Sequence, residues 1–202
     1  MNQLSDDNIP LRSHTTKKKL TKLIQKKQKQ EIDIKPFGLW YAYKNDWLKN
    51  FILANNWLEG YNEQSYMYEI QFKHGIFTRS LLEIKKGKIL KISSKNDLTN
   101  FHNKYKVAIE KHVYINWKNV SKDFSGIEFV PFKYVPPPSV RYRRNPLLWY
   151  NTVDVASGCI WDNSVFKKIS LTHTFKVTKN EKFLYNKLKN NENIEIEILT
   201  KK

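Results

Sequence analysis

Cysteine occurs once in the 202 residues, at Cys159, so the chain forms no internal disulfide and no cysteine-built zinc site. Glycine is scarce at six residues, and none falls in a Gly-x-Gly-x-x-Gly or Walker loop, so the common nucleotide folds have no support. No Gly-x-Ser-x-Gly elbow is present. The histidines (His14, His74, His102, His112 and His173) include no pair at the spacing of a metalloprotease helix, so no metal is expected. On the helix read below over 97–105, His102 is a surface or core residue rather than a ligand. The longest apolar run, residues 37–42, falls far short of the ~20 residues of a membrane-spanning helix. No charged, then apolar leader opens the chain, so neither secretion nor membrane insertion is expected. Together with the single cysteine, this points to an intracellular site, cytoplasmic or nuclear.

Acidic residues are also short, 19 against 36 Lys and Arg, which leaves a formal charge of +17. Such a surplus favours polyanionic partners, nucleic acid above all, in a salt-sensitive way. Only Arg12, Arg79, Arg141, Arg143 and Arg144 are arginines. A lysine- and asparagine-rich chain is also what an AT-rich genome encodes, and the alternative is a merely basic, solvated surface. Arginine makes planar two-point phosphate contacts, so its few positions carry more information than the lysine excess.

Three segments divide the chain: a basic N-terminal piece (1–33), a core domain (34–172) and a polar C-terminal extension (173–202). Residues 9–15 read as a short strand. Residues 17–30 carry Leu20, Leu23 and Ile24 at helical spacing and read as a lysine-rich helix or as a basic disordered tail. Residues 38–43 read as an aromatic strand, and Asp46 caps a helix over 46–54 that stops at Asn55-Asn56. Strands are expected at 65–72, 77–84 and 89–92, with a turn at 85–88. Ser93 and Ser94 open a helix with Leu98, Phe101 and Tyr105 on one face. Residues 117–124 form a helix or turn entering a strand at 126–130, which Pro131 ends. Residues 133–146 form a proline-rich loop bearing Arg141, Arg143 and Arg144, and order resumes at 147–150. Residues 156–162 read as a buried strand, 164–169 as a turn, 175–189 as a helix, and 194–199 as an alternating edge strand. No internal repeat is present. The order of elements implies an α+β domain with mostly antiparallel pairing.

That order, together with several short motifs, resembles the ADP-ribosyltransferase fold, the split antiparallel sheet shared by mono-ADP-ribosylating toxins and RNA 2′-phosphotransferases. The motifs are a first strand with Arg12 and His14, Gly38-Leu39-Trp40-Tyr41-Ala42, the strand–turn–strand around Gly87, Phe124-Ser125-Gly126-Ile127, and Cys159-Ile160-Trp161-Asp162 running on to Lys167. The pieces Gly-Leu-Trp-Tyr and Ser-Gly-Cys-Ile-Trp also resemble pieces of virus and phage proteins of unassigned activity. The resemblance spans roughly residues 9–170.

The resemblance implies an NAD-dependent transferase acting on protein or nucleic acid. Arg12 and His14, on alternate positions of one strand and hence one face, would contact the NAD pyrophosphate or ribose. Tyr41 or Tyr43 would stack on nicotinamide, while Trp40 and Trp47 are core residues. A carboxylate would stabilise the oxocarbenium-like centre. Ser157 stands where the family has glutamate, so Asp154 or Glu128 would take that role. The other reading is a non-enzymatic nucleic-acid-binding module that uses residues 17–29 and Arg141, Arg143 and Arg144 for phosphates. A third is a catalytically inactive protein that retains the fold. The 141–144 cluster is alternatively a solvated loop.

Overall fold

The computed structural model describes residues 11–25, 27–44, 46–47, 64–81, 86–110, 112–131, 147–177, 183–187, 194–195 and 197–200. Along the chain run β1 (Arg12–Thr16), β2 (Lys22–Gln25), β3 (Ile32–Asp33), β4 (Leu39–Tyr43), β5 (Ser65–Phe72), β6 (Phe77–Thr78) and β7 (Ile89–Ile92). Next come α1 (Lys95–Tyr105), β8 (Lys106–Ile109), β9 (His112–Asn116), α2 (Trp117–Asp123), β10 (Gly126–Phe129) and β11 (Ser157–Ile160). The chain then forms β12 (Phe166–Val177), β13 (Phe183–Lys187), β14 (Ile194–Glu195) and β15 (Glu197–Thr200). This is a mixed α+β protein with mostly antiparallel pairing.

The chain divides into two compact units. The first comprises Met1–Gln25, Tyr41–Lys73 and Phe166–Lys202. Its strands run β13-β12-β5-β1-β4, each neighbour antiparallel, with β14 also on β12. The alternation of β5 explains its two faces. Tyr68 and Ile70 are buried on one, Ser65 and Met67 on the other. The second unit comprises Lys26–Trp40 and His74–Val165. In it β11 pairs antiparallel with β10, and β10, β7 and β6 run parallel. A separate sheet has the order β3-β9-β8.

Local chemistry sets α1. Ser94 accepts from the Asp97 amide, and the Asp97 carboxylate accepts in return from the Ser94 amide, a reciprocal cap. The helix ends at Lys106, where the backbone turns extended. Its inner face (Leu98, Phe101, Tyr105) enters the core of the second unit with Trp117, Val120, Ile127, Phe129, Trp149 and Trp161. Phe101 lies 5.1 Å from Tyr105, 5.5 Å from Trp149 and 5.7 Å from Trp117, ring centre to ring centre, all tilted. Tilted pairs of this kind contribute about 0.5–1.5 kcal/mol each beyond burial.

His102 is buried on the same helix, and its Nδ1 accepts from Trp149 Nε1 at 3.1 Å. It is a core residue, as its place on the helix implies. Burial, and then the charge of Lys106, push its pKa below the ordinary 6.5. As pH falls, the unfolded chain therefore protonates first. The contribution of His102 to stability is whole above about pH 6.5 and is lost as pH falls from there through the folded-state pKa. Urea midpoints between pH 7.5 and 5 are expected to drop for the native protein, and His102→Asn is expected to flatten that drop.

Several sequence expectations are corrected. Residues 17–30 form no helix in their described part; they form β2, paired in parallel with β15, Lys22 opposite Glu197. Leu20, Leu23 and Ile24 fit a helical face, but the partner strand lies more than 170 residues away and overrides that period. Residues 175–189 were expected to be helical. Their described residues end β12 and form β13, in register from Val177 with Phe183 to His173 with Lys187. His173 and Phe175, both buried two residues apart, follow the strand period. Residues 164–169 are only in part a turn, because β12 begins at Phe166. The strand expected at 77–84 is confined, among described residues, to β6. The helix expected over 46–54, beyond Asp46 and Trp47, lies outside the described residues, as do Asn55-Asn56 and the whole loop at 133–146.

Candidate functional site

On the first unit, β1 lies between β4 and β5. Its register sets Arg12 opposite Tyr43 and His14 opposite Tyr68. The Arg12 guanidinium donates to Tyr43 Oη at 3.4 Å and sits 5.3 Å from the centre of that ring. It is also 5.6 Å from the centre of Phe72. Cation–π contacts at such distances are worth about 0.5–1 kcal/mol at exposed sites and hold a long side chain in place. Arg12, His14 and Tyr43 are half-buried, within reach of a ligand, whereas Tyr41 is buried. Tyr41 packs 5.5 Å from Phe72, which stacks at 5.5 Å on Phe166. The His14 and Tyr68 rings lie 6.4 Å apart, and Tyr68 Oη accepts from the Leu20 amide at 2.7 Å. Burial raises the Tyr68 pKa against the opposing effect of that bond, so the phenol stays protonated.

The second unit holds the candidate carboxylates. Glu128, on β10, is fully buried and has Lys91 Nζ at 3.7 Å; its strand neighbours are Lys91 on β7 and Gly158 on β11. Ser157, also buried, donates its Oγ to the Val155 carbonyl at 2.9 Å. The Asp154 side chain is 39% exposed and lies 3.9 Å from Lys35 Nζ. Partial burial raises the carboxyl pKa, against the pull of Lys35. Lys35 in turn lies 5.6 Å from the centre of the half-buried Trp40 ring, which packs on the core. Trp47 is half-buried. Arg12, His14, Tyr41 and Tyr43 thus share one unit, and Glu128, Asp154 and Ser157 share the other. Arg141, Arg143 and Arg144 lie outside the described residues. Among the described residues, no group of three His, Cys, Asp or Glu could hold a metal ion.

The short motifs have an architectural role that sequence reading missed. Gly38 leaves no room for a side chain: a Cβ there would collide with the Ile160 carbonyl and lie 2.7 Å from Cys159 Sγ. A Cβ on Gly126 would meet Ile160 Cδ1 at 2.5 Å and the Cys159 carbonyl at 2.9 Å. The Ser125 carbonyl accepts from the amides of Trp161 (3.2 Å) and Asp162 (3.1 Å), and its Oγ bonds Asp162 at 3.2 Å. Trp161 Nε1 donates to the Phe124 carbonyl at 2.8 Å. The Cys159 thiol faces the Pro36 carbonyl at 3.7 Å, and burial raises its pKa, which keeps it protonated and unreactive. Gly-Leu-Trp, Ser-Gly-Ile and Ser-Gly-Cys-Ile-Trp therefore pack into one knot. The glycines and the Trp were the visible signal; their mutual contact was not.

Sequence reading also missed the pairing of Tyr105 with Asp123, whose Oδ2 accepts from the phenol at 2.6 Å with Lys104 Nζ 3.4 Å away. Burial first, and then Asp123, raise the pKa of Tyr105. This ties α1 to α2. Compared with known proteins, the chain matches no family model, no curated protein and no solved structure.

Proposed function

We propose that the protein is an NAD-dependent transferase of the ADP-ribosyl type, built on an ADP-ribosyltransferase-like sheet and acting on a protein or nucleic-acid acceptor. One observation carries the reading. The pairing of β1 with β4 puts the Arg12 cation against the half-exposed ring of Tyr43, with His14 two residues along the same face. A dinucleotide needs a cation for its pyrophosphate and a flat surface for its nicotinamide, and these residues fit both needs.

Arg12 would hold the pyrophosphate, held in place itself by Tyr43 and Phe72. His14 would reach the ribose. Tyr43 would be the stacking residue, since Tyr41 is buried against Phe72. NAD, when bound, supplies a ribosyl carbon that gains positive charge as nicotinamide departs. A carboxylate would stabilise that charge; the two that the resemblance offers, Glu128 and Asp154, belong to the other unit. Ser157, spent on the Val155 carbonyl, would position the strand rather than react.

The test is NAD binding by the full chain, followed by calorimetry and thermal shift. The melting temperature is expected to rise with NAD as mass action requires, by about 2.7 kcal/mol of stabilisation at a hundredfold excess over Kd. Arg12→Ala and Tyr43→Ala are each expected to abolish the response while leaving the protein folded. No response from the folded native protein at millimolar NAD would refute the reading.

A further inference from the structure

We propose that the face of the first unit bearing Arg12, His14 and Tyr66 is a track for single-stranded nucleic acid, the acceptor class of the transferase. The inference rests on the transferase reading only in calling the strand an acceptor. The binding shares Arg12 and His14 with that reading, and Lys17–Lys19 and Tyr66 belong to the binding alone.

Three observations converge. First, the run Lys17-Lys18-Lys19, which the sequence left as part of a helix or a tail, is an exposed connection held at both ends to this face. The Lys18 amide bonds Thr16 Oγ1 at 3.2 Å, and the Leu20 amide bonds Tyr68 Oη at 2.7 Å. The backbone of the run is therefore held beside Tyr68, with the three lysines exposed. Second, a cation, an imidazole and rings interleave. Arg12 lies against Tyr43 and Phe72, His14 against Tyr68, and Tyr66 stands half-exposed two positions from Tyr68 on the same side of β5. Third, alternation sends the only carboxylate of β5, Glu69, to the opposite face, where it is in register with Ser13 and Ser170. Among the described residues of β1 and β5, this face carries the Arg12 cation and no acid.

A cationic strip beside half-exposed rings is the combination that holds single strands, whose bases are free to stack. Duplexes keep their bases from the rings, and acidic peptides offer charge without a flat surface for each residue. In the reaction, the bond from ribose to nicotinamide breaks with its electron pair leaving on nicotinamide. A base nitrogen or hydroxyl oxygen of the strand bonds the ribosyl carbon, and its proton passes to a carboxylate or to water. No oxidant or reductant is needed.

The experiment is fluorescence anisotropy of a dye-labelled oligothymidine and an oligouridine of equal length with the full chain, without NAD, across a salt series. Affinity is expected to fall with salt at a log–log slope of about 0.7 for each phosphate neutralised. The triple variant Lys17→Gln, Lys18→Gln, Lys19→Gln is expected to reduce that slope by about two. Tyr66→Leu is expected to weaken binding about tenfold at unchanged slope, as the loss of one stacked base does. The matched triple Lys95→Gln, Lys118→Gln, Lys122→Gln removes the same charge from exposed positions of the second unit and is expected to leave the slope unchanged. Equal losses in both triples would overturn the proposal, because the binding would then be diffuse. So would displacement of the oligonucleotide by polyglutamate of the same charge as readily as by unlabelled strand. The Lys17–Lys19 triple keeps its NAD response if the transferase reading holds. A null NAD titration beside the expected slopes removes the transferase and leaves the track; the reverse pattern does the opposite.

Discussion

Replacing Trp149 with alanine is expected to remove about 4 kcal/mol of stability, read as a drop in the urea midpoint with little change in slope. Trp149 is fully buried and touches Phe101, Trp117, Phe129 and Tyr150 at ring distances of 5.5–6.2 Å. The cavity left behind is bounded by large rigid rings and two helices that are tied together through Asp123, so it collapses poorly. The same change strands the acceptor Nδ1 of His102 in a dry site, which adds the desolvation penalty of an unmade bond. Trp149→Phe separates the two contributions. It keeps most of the volume and loses the bond, and is expected to lose about 1–3 kcal/mol. Domains are stable by only about 5–15 kcal/mol, so the alanine variant should be unfolded in part at moderate temperature. An alanine loss below that of the Phe variant would show that the cluster is not the centre of the second unit.

Gly38→Ala is the second large effect, at about 3 kcal/mol, the upper end for overpacking. The obstacle is not a movable side chain. It is the backbone carbonyl of Ile160 in β11, with Cys159 Sγ beside it. Relief requires that strand to shift, and β11 is fixed by its ladder to β10 and by the paired amides on Ser125. Gly75→Ala is the informative contrast. Gly75 has φ +63 and open space around it, so a methyl there meets only the left-handed backbone penalty, about 1 kcal/mol. Thermal unfolding of the two variants should therefore rank Gly38→Ala well below Gly75→Ala. The opposite order would contradict the packing of the motif knot. Cys159→Ala together with Gly38→Ala should recover only a fraction, because the carbonyl remains.

These two cases show what sequence could reveal. β5, β7 and α1 were legible because their signals are local. β5 alternates over eight residues. Gly87 at φ +80 turns the chain into β7, and Ser94 and Asp97 cap α1 with side chains three residues apart. β2, the end of β12 and β13 were not, because each is decided by a distant partner. Lys22 to Gln25 become a strand through Glu197 to Thr200, and no window of the chain contains both. The hairpin β8–β9 was missed as well; its turn uses Glu110 at φ +54, a residue that carries no turn signature. For the candidate site, the alternation of Arg12 and His14 was readable, and so was the aromatic character of residues 38–43. The selection of Tyr43 over Tyr41 was not. It depends on which ring Phe72 and Phe166 cover. The glycine knot was invisible for the same reason, since close approach belongs to two segments at once.

The central claim is the proposal that Arg12 and Tyr43 hold NAD for the loss of nicotinamide. The most direct measurement is nicotinamide release from adenine-labelled NAD by the full chain, with label followed onto oligonucleotide and onto mixed protein. The account predicts release by the native protein, label on an acceptor, and loss of both in Arg12→Ala and in Tyr43→Ala. A folded native protein that releases no nicotinamide at millimolar NAD with either acceptor would contradict it.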